Sequence, residues 1–421
     1  MRNWQRFFSL FLFLISSCSW VPNVKQVPDV VLGEASFYPT IAAHTDAPIV
    51  GGNRLELLFN GNETFPAMLK AIRSAQHSIT YMQFVYEDGA IAEEFAEAFA
   101  ERCRAGVPVK LLIDSRGGNK MPKEIPELWQ KAGCDLQWFR RIRLFQFITP
   151  WELLAYNYRN HRRILVIDGK VGFTGGHGVK ETWTGDGRTD QHWRDTDIKT
   201  EGPIVQQLQA AFVESWRETT DEMLGGDAYF PVLKPVGKSY AQVVKSSPYG
   251  GTHQSYLLYL LAISAAQKSV FITNPYFVPD DRLKEALIAA AARGVRVVVL
   301  GPGQGKIDWT LVYRASRRGF GPLLQGNVEI YEFQGALLHA KTMVVDGTWA
   351  LVGTTNLDNR SFALNEEINM VAYDRDIASQ LEHAFIDDLS YSQKLDYATW
   401  AARPWREKVF EVFTIPINDQ L

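Results

Sequence analysis

A chain of 421 residues, 46% apolar and 22% charged, has room for roughly two to four domain-sized units that each bury a core, which excludes a mini-protein or a disordered tail. With only 32 Gly and 19 Pro it is neither collagen-like nor low in complexity, and its composition is that of a globular α/β or α+β protein. The formal net charge of -3 lacks the basic excess of a non-specific nucleic-acid binder, so an anionic ligand must be met by a local patch.

The amino terminus carries Arg2 and Arg6, an apolar run from Phe7 to Ile15 interrupted only by Ser9, and then Ser16, Ser17, Cys18 and Ser19. This is the order of a cleaved export signal, and the run is about half the length that a spanning helix needs. Ile15-Ser16-Ser17-Cys18 is similar to a bacterial lipoprotein box, which makes residues 1–18 the signal and Cys18 the lipid-modified first residue of the mature chain; an ordinary signal peptide or short anchor is the alternative. Either reading predicts a protein close to the membrane on its extracytoplasmic, periplasmic side. Residues 19–50, with Pro22, Pro28, Pro39 and Pro48, read as a tether. The 3 Cys are too few for a disulfide framework or a thiolate-rich zinc site, and a Cys103–Cys134 bridge is compatible with an extracytoplasmic domain.

An internal repeat sets the architecture. Ala71-Ile72-Arg73-Ser74-Ala75-Gln76-His77-Ser78-Ile79 returns 191 residues later as Ala262-Ile263-Ser264-Ala265-Ala266-Gln267-Lys268-Ser269-Val270. Each copy leads into an apolar strand (79–86; 270–277), an Ala-rich helix (90–104; 281–293) and a second strand (108–113; 295–300). Helix, strand, helix, strand, twice, predicts a duplicated α/β fold, with mixed or mostly parallel sheets flanked by helices and related by a pseudo-twofold axis. The halves are 51–236 and 237–421, divided near Pro231-Val232-Leu233-Lys234-Pro235-Val236-Gly237.

Of 8 His, two share one context: His161-Arg162-Arg163 and His339-Ala340-Lys341 are each followed by four mostly apolar residues and Asp-Gly, 168–169 and 346–347. They lie 178 residues apart, at corresponding points of the duplication. In extended chain, His and the cation two residues on share a face, as a phosphate-binding pair requires. Gly353-Thr354-Thr355-Asn356 adds small residues, N–H groups and an amide suited to phosphate oxygens.

These motifs, with Asn160-His161-Arg162-Arg163, Phe173-Thr174-Gly175-Gly176, His192-Trp193-Arg194-Asp195-Thr196, Asn274-Pro275-Tyr276-Phe277-Val278-Pro279 and Asn356-Leu357-Asp358-Asn359-Arg360-Ser361, resemble the phospholipase D superfamily, and within it the bacterial cardiolipin synthase type. The resemblance covers about residues 55 to 410. It implies that His161 and His339 are the catalytic pair, His161 as nucleophile and His339 as general acid, with Arg163 and Lys341 neutralising phosphate. Asp168 and Asp346 complete the catalytic motif, although their place before a turn glycine makes them strand-end organisers. Asn356, Thr354 and Gly176 are the expected phosphate-binding residues. An acidic residue downstream of each motif, Asp195 and Glu367, is expected to orient its imidazole. Two positions depart from the family pattern: Arg163 stands in place of Lys, and Gly178 in place of the Asn that matches Asn356.

The function expected is phosphatidyl transfer from one phosphatidylglycerol to another, giving cardiolipin through a phosphohistidine intermediate, with no metal or other cofactor. Hydrolysis to phosphatidic acid by the same site is the alternative, ahead of a nuclease or a degenerate scaffold. Membrane phospholipid is the expected partner, nucleic acid is not, and no oligomer is required to build the site. The basic and aromatic stretch 137–147 is a candidate lipid contact, equally readable as a buried strand and basic loop, and Trp400, Trp405, Phe410 and Phe413 are a second candidate, for which a capping helix packed on the core is the better reading.

Overall fold

The computed structural model describes residues 21–141, 156–412, 414, 415 and 420. The first half contributes β1 (Val50–Phe59), β2 (Ile79–Gln83), β3 (Val109–Asp114), β4 (Asp135–Phe139), β5 (Ile164–Ile167), β6 (Val171–Gly175) and β7 (Thr196–Glu201). The second contributes β8 (Ser239–Ser246), β9 (Ser269–Thr273), β10 (Arg296–Pro302), β11 (Glu329–Phe333), β12 (Thr342–Val345), β13 (Trp349–Gly353), β14 (Glu367–Tyr373) and β15 (Ser392–Leu395). All join one 15-stranded sheet. From the middle outwards its order is β1-β7-β6-β5-β2-β3-β4 in one direction and β8-β14-β13-β12-β9-β10-β11 in the other, with β15 beyond. The two orders are the same, which is the duplication expressed as a pseudo-twofold between β1 and β8.

Two half-sheets therefore meet edge to edge, through an antiparallel β1–β8 pairing whose register shifts between Val50 and Asn53. Between these strands, parallel pairing occurs at β2–β3, β3–β4, β9–β10 and β10–β11, whose members are linked by helices such as Ala90–Arg104 and Asp281–Ala292. Those crossovers are what parallel neighbours require, whereas β5–β6 and β12–β13 are hairpins. The run Ile164–Ile167 is buried at every position, as is Thr342–Val345, so both central strands are apolar rather than alternating. β9 stops short of its expected end because Asn274-Pro275 follows, and Pro has no N–H to extend the ladder.

The hairpin turns explain the repeated helix ends. Asp168 and Asp346 both adopt φ 53 and their following glycines φ 62, a left-handed pair that Asp and Gly tolerate. The Asp168 carboxylate accepts from the N–H groups of Gln76, His77 and Ser78 at 3.0, 2.7 and 3.0 Å. Asp346 accepts from Gln267, Lys268 and Ser269 at 2.9, 2.7 and 2.9 Å. Each Asp thus clips the end of a helix to the start of β2 or β9. Both stand at the opposite end of their strand from the His, so the catalytic placing of Asp168 and Asp346 gives way to the organising one.

Residues 21–50 are not a loose tether. Helix Phe37–Thr45 buries Phe37 and Ile41 completely in the core of the second half, beside Tyr256, Leu260 and Ile263, and Val21, Val24, Val27 and Val30 pack on the same core. The Leu32 N–H donates to the Ala265 carbonyl at 3.0 Å. Proline spacing suggested a linker, but every third residue from Val21 to Val30 is apolar and lies against protein. Cys103 and Cys134 form a disulfide, tying helix Ala90–Arg104 to the start of β4.

Asp346→Ala leaves three backbone donors without their acceptor and is expected to cost about 2–4 kcal/mol in urea unfolding, with Asp346→Asn recovering part of it. Equal stability of wild type and Asp346→Ala would contradict the organising role.

Candidate active site

His161 and His339 lie in extended backbone just before β5 and β12, and each stretch is laced to the other half. The His161 N–H donates to Glu366 O at 2.9 Å and the Glu366 N–H to Arg159 O at 2.8 Å. Likewise the His339 N–H donates to Arg194 O, and the Arg194 N–H to Leu337 O, both at 2.8 Å. Arg194 and Glu366 immediately precede the two orienting acids. The bridges therefore carry each acid to the imidazole of the opposite half: His161 Nδ1 lies 2.9 and 3.0 Å from the Glu367 carboxylate oxygens, and His339 Nδ1 lies 2.7 Å from Asp195 Oδ2. The acids are those expected, but the pairing is crossed rather than within each half.

The cations lie against the imidazole rings. An Arg163 guanidinium N–H donates to His161 Nε2 at 3.2 Å. Lys341 Nζ is 3.0 Å from both His339 nitrogens and donates to the His339 carbonyl at 2.5 Å. A carboxylate at Nδ1 and a cation at Nε2 fix one tautomer, with the proton on Nδ1 and a lone pair on Nε2. Arg163 Nε and Nη1 are buried and unpaired. Unsatisfied donors on a buried guanidinium are costly unless an anion arrives to accept from them.

Each carboxylate is held in turn. Asp195 accepts from the Trp183 indole at 2.8 Å and the Thr196 N–H at 2.9 Å. Glu367 accepts from the Thr354 hydroxyl at 2.5 Å and the Asn365 amide at 3.3 Å. Thr354 therefore supports an orienting acid and its hydroxyl is not free for phosphate. Gly176 is likewise not a phosphate ligand: its N–H donates to Thr196 O at 3.2 Å, and a Cβ there would lie 1.9 Å from Asp195 Oδ1. Its glycine is required by the close approach of Asp195. Asn356 is buried, its N–H donates to the Ser361 hydroxyl at 3.2 Å, and its side-chain Oδ1 has no partner.

Burial governs the protonation states. Desolvation, reinforced by Lys341, pushes His339 down to about 3, and desolvation lowers His161 despite Glu367. Both imidazoles are thus neutral near pH 7. Asp195, though buried, is held well below the usual carboxylate range by His339. Desolvation brings Lys341 down to about 7, with Arg163 adding to the effect, and burial also lowers Arg163.

The first half has no amide corresponding to Asn356, and the structure shows what fills that place. A Cβ on Gly178 would meet the Trp183 ring at 2.8 Å and Val85 Cβ at 2.9 Å. Trp183 is buried and its ring stands edge-on to His339 at 5.0 Å between centroids, with Trp193 at 5.7 Å; Phe84 stands edge-on to His161 at 4.9 Å. Trp183 and the backbone clasps of Arg194 and Glu366 were not singled out from sequence. The one available signal was that Arg194 and Glu366 each precede an orienting acid. Glu366, buried and raised to about 7 by desolvation, accepts from Asn160 and Ser215 at 3.0 Å each. Gly178→Asn is expected to destabilise the protein by about 1–3 kcal/mol through overpacking, and less in a Trp183→Ala background. Additive effects in a double-mutant cycle would show that the two do not share a space.

The model for the cardiolipin synthase phospholipase D-like domain matches residues 68–216 and 259–389. The chain belongs to this family. A cardiolipin synthase of Geobacillus thermodenitrificans is 34% identical over 366 residues, spanning 86% of this chain and 72% of that protein. A probable cardiolipin synthase of Bacillus subtilis is 35% identical over 377 residues, 89% of this chain and 73% of its own. In fold, the family member resembles the phosphatidylserine synthase of Haemophilus influenzae, with a TM-score of 0.70 at 13% identity over 92% of this chain and 100% of that one.

These relatives correct the localisation expected from the amino terminus. They are cardiolipin synthases, which supports association with a membrane but neither a lipid anchor at Cys18 nor a periplasmic placement, so that reading is withdrawn. Cys18 and residues 142–155 lie outside the described residues. Among the described residues no helix is long and apolar enough to cross a membrane, and no group of three or more His, Cys, Asp or Glu is placed to hold a metal ion.

Proposed function

We propose that this member of the cardiolipin synthase family transfers a phosphatidyl group from one phosphatidylglycerol to the hydroxyl of another, making cardiolipin and releasing glycerol. The observation that carries this reading is the crossed arrangement of His161 on Glu367 and His339 on Asp195, with the unpaired donors of Arg163 between buried groups of both halves. The halves, taken as 51–236 and 237–421, each supply an imidazole, a cation and the carboxylate that serves the other, so one chain completes the site. The substrate is read as phospholipid rather than nucleic acid, in keeping with the net charge of -3.

In the proposed reaction His161 Nε2 attacks phosphorus with its lone pair while the bond to the leaving glycerol oxygen breaks. His339, protonated on both nitrogens, gives its Nε2 proton to that oxygen. The second phosphatidylglycerol then yields its hydroxyl proton to His339 and attacks phosphorus, expelling His161. Arg163 and Lys341 take the charge that builds on the non-bridging oxygens, and the Asn356 amide is the third candidate ligand for them. Asp195, held as an anion at His339 Nδ1, would support an imidazolium there once one forms. The bound phosphodiester supplies the further negative charge that an imidazolium in this buried site requires.

Mass spectrometry of lipids after incubation with phosphatidylglycerol vesicles is expected to show cardiolipin and glycerol, and loss of at least about a thousandfold in turnover for His161→Ala and for His339→Ala. Phosphatidic acid as the sole product would mean that water is the acceptor. Turnover retained in either variant would remove the two-half site.

Burial brings Lys341 down to about 7, and only its charged form neutralises phosphate. As pH rises through 7 the charge is lost, so kcat/KM is expected to fall on the alkaline side near that value. Because arginine stays charged, Lys341→Arg is expected to move the alkaline limb upward even where it lowers the rate. An unmoved limb would assign the titration to another group.

A further inference from the structure

Helix Trp405–Val412 wears its amphipathicity inside out. Trp405, Val409 and Val412, spaced as one stripe, are 69%, 44% and 57% exposed, and Ile415 just beyond is 53% exposed. Of the two carboxylates, one is buried and the other half-exposed beside an arginine. Glu411 is buried against Arg403 at 2.6 and 2.8 Å, and Glu407 turns toward Arg317 at 3.8 Å. Arg406 and Lys408 are exposed and, at 100° per residue, flank the apolar stripe on either side. Lys408 also donates to Ala401 O at 2.7 Å, and Arg406 reaches back over the Trp405 ring at 5.8 Å.

The helix is linked to the active site through its neighbour in the fold. The helix packs on helix Thr310–Gln325, where Arg314 lies over Phe410 at 4.6 Å, and Trp309 at the head of that helix is 41% exposed. Three residues before Trp309, the Lys306 carbonyl accepts from Leu338 N–H, next to His339, and Asp308 accepts from the Tyr276 hydroxyl at 2.6 Å.

We propose that Trp405, Val409, Val412 and Ile415 dip into the surface of an anionic phospholipid bilayer, with Arg406 and Lys408 at the headgroup level, and so present the active site to its substrate. The proposal rests on the reading of that substrate as a bilayer phospholipid. An apolar stripe edged by two cations suits an interface of acyl chains and phosphates. A second copy fits less well, because a twofold contact through the stripe would bring the two Arg406–Lys408 edges together.

The test uses the full chain with Cys18→Ser and Val409→Cys, labelled at residue 409 with an environment-sensitive fluorophore, and a matching label at Lys131→Cys on helix Glu124–Ala132. With phosphatidylglycerol vesicles, the emission at 409 is expected to shift to the blue and to be quenched by lipid carrying a nitroxide in its acyl chain, with neither change at 131. Separately, Trp405→Ser with Val409→Ser and Val412→Ser is expected to lower turnover on vesicles by at least about tenfold while sparing dispersed short-chain phosphatidylglycerol. No vesicle binding, or binding without a shift at 409, overturns the proposal, as does a shift that needs only higher protein concentration and no lipid. A shift at 409 in a protein that turns over neither form of lipid supports the docking face and removes the functional reading instead.

Discussion

The structure turns on the crossed hydrogen bonds between imidazole and carboxylate, His161 with Glu367 and His339 with Asp195. Neither half can orient its own histidine. The backbone bridges at Arg194 and Glu366 make that dependence mechanical, since each fixes the acid that follows it and the motif it clasps in one stroke. The join of β1 to β8 and the core shared across it, with Ile198, Phe212 and Trp216 from one half and Phe271, Ile368 and Met370 from the other, hold the halves in the register that those short bonds need. Rigid strands supporting a preorganised pair of rings are what a displacement at phosphorus needs from its protein.

Charge governs how the site would receive its substrate. The two cations and the two carboxylates that touch the imidazoles balance one another, and burial keeps both rings neutral. A phosphodiester brings one negative charge, and one imidazolium restores the balance. In the proposed reaction, substrate binding and protonation of the general acid are thereby coupled. The cost of burying Arg163 with unpaired donors is offset only when phosphate oxygens accept from them. Gly178 and Trp183 make the two halves of the site unequal: one offers an amide, the other an indole that grips Asp195.

Much of this was legible in sequence because the duplication is written twice. Helix Ala90–Arg104 agrees end to end with its reading, and the paired His-x-cation motifs stand out because repetition raises a weak signal. The crossing was not legible, since a sequence gives no means of telling which half an acid will face. Thr354 and Gly176 were misassigned for a related reason: small and hydroxylated residues near a phosphate motif look like ligands, yet here they make room for and hold carboxylates. Residues 21–50 were misread because prolines dominated a segment whose spaced valines pack on the core. The outward stripe of helix Trp405–Val412 was visible as aromatic content, but only its exposure and the buried Glu411 carboxylate separate it from a capping helix.

The central claim is that one histidine takes the phosphatidyl group while the other, held by the opposite half, moves the proton. Its most direct measurement is peptide mass spectrometry after quenching the protein in alkali, which preserves a bond from phosphorus to nitrogen, during turnover of phosphatidylglycerol. The account predicts an adduct on the peptide containing His161, and its loss in Glu367→Ala, where that ring loses its carboxylate. An adduct on His339, or one that forms undiminished without Glu367, would contradict it.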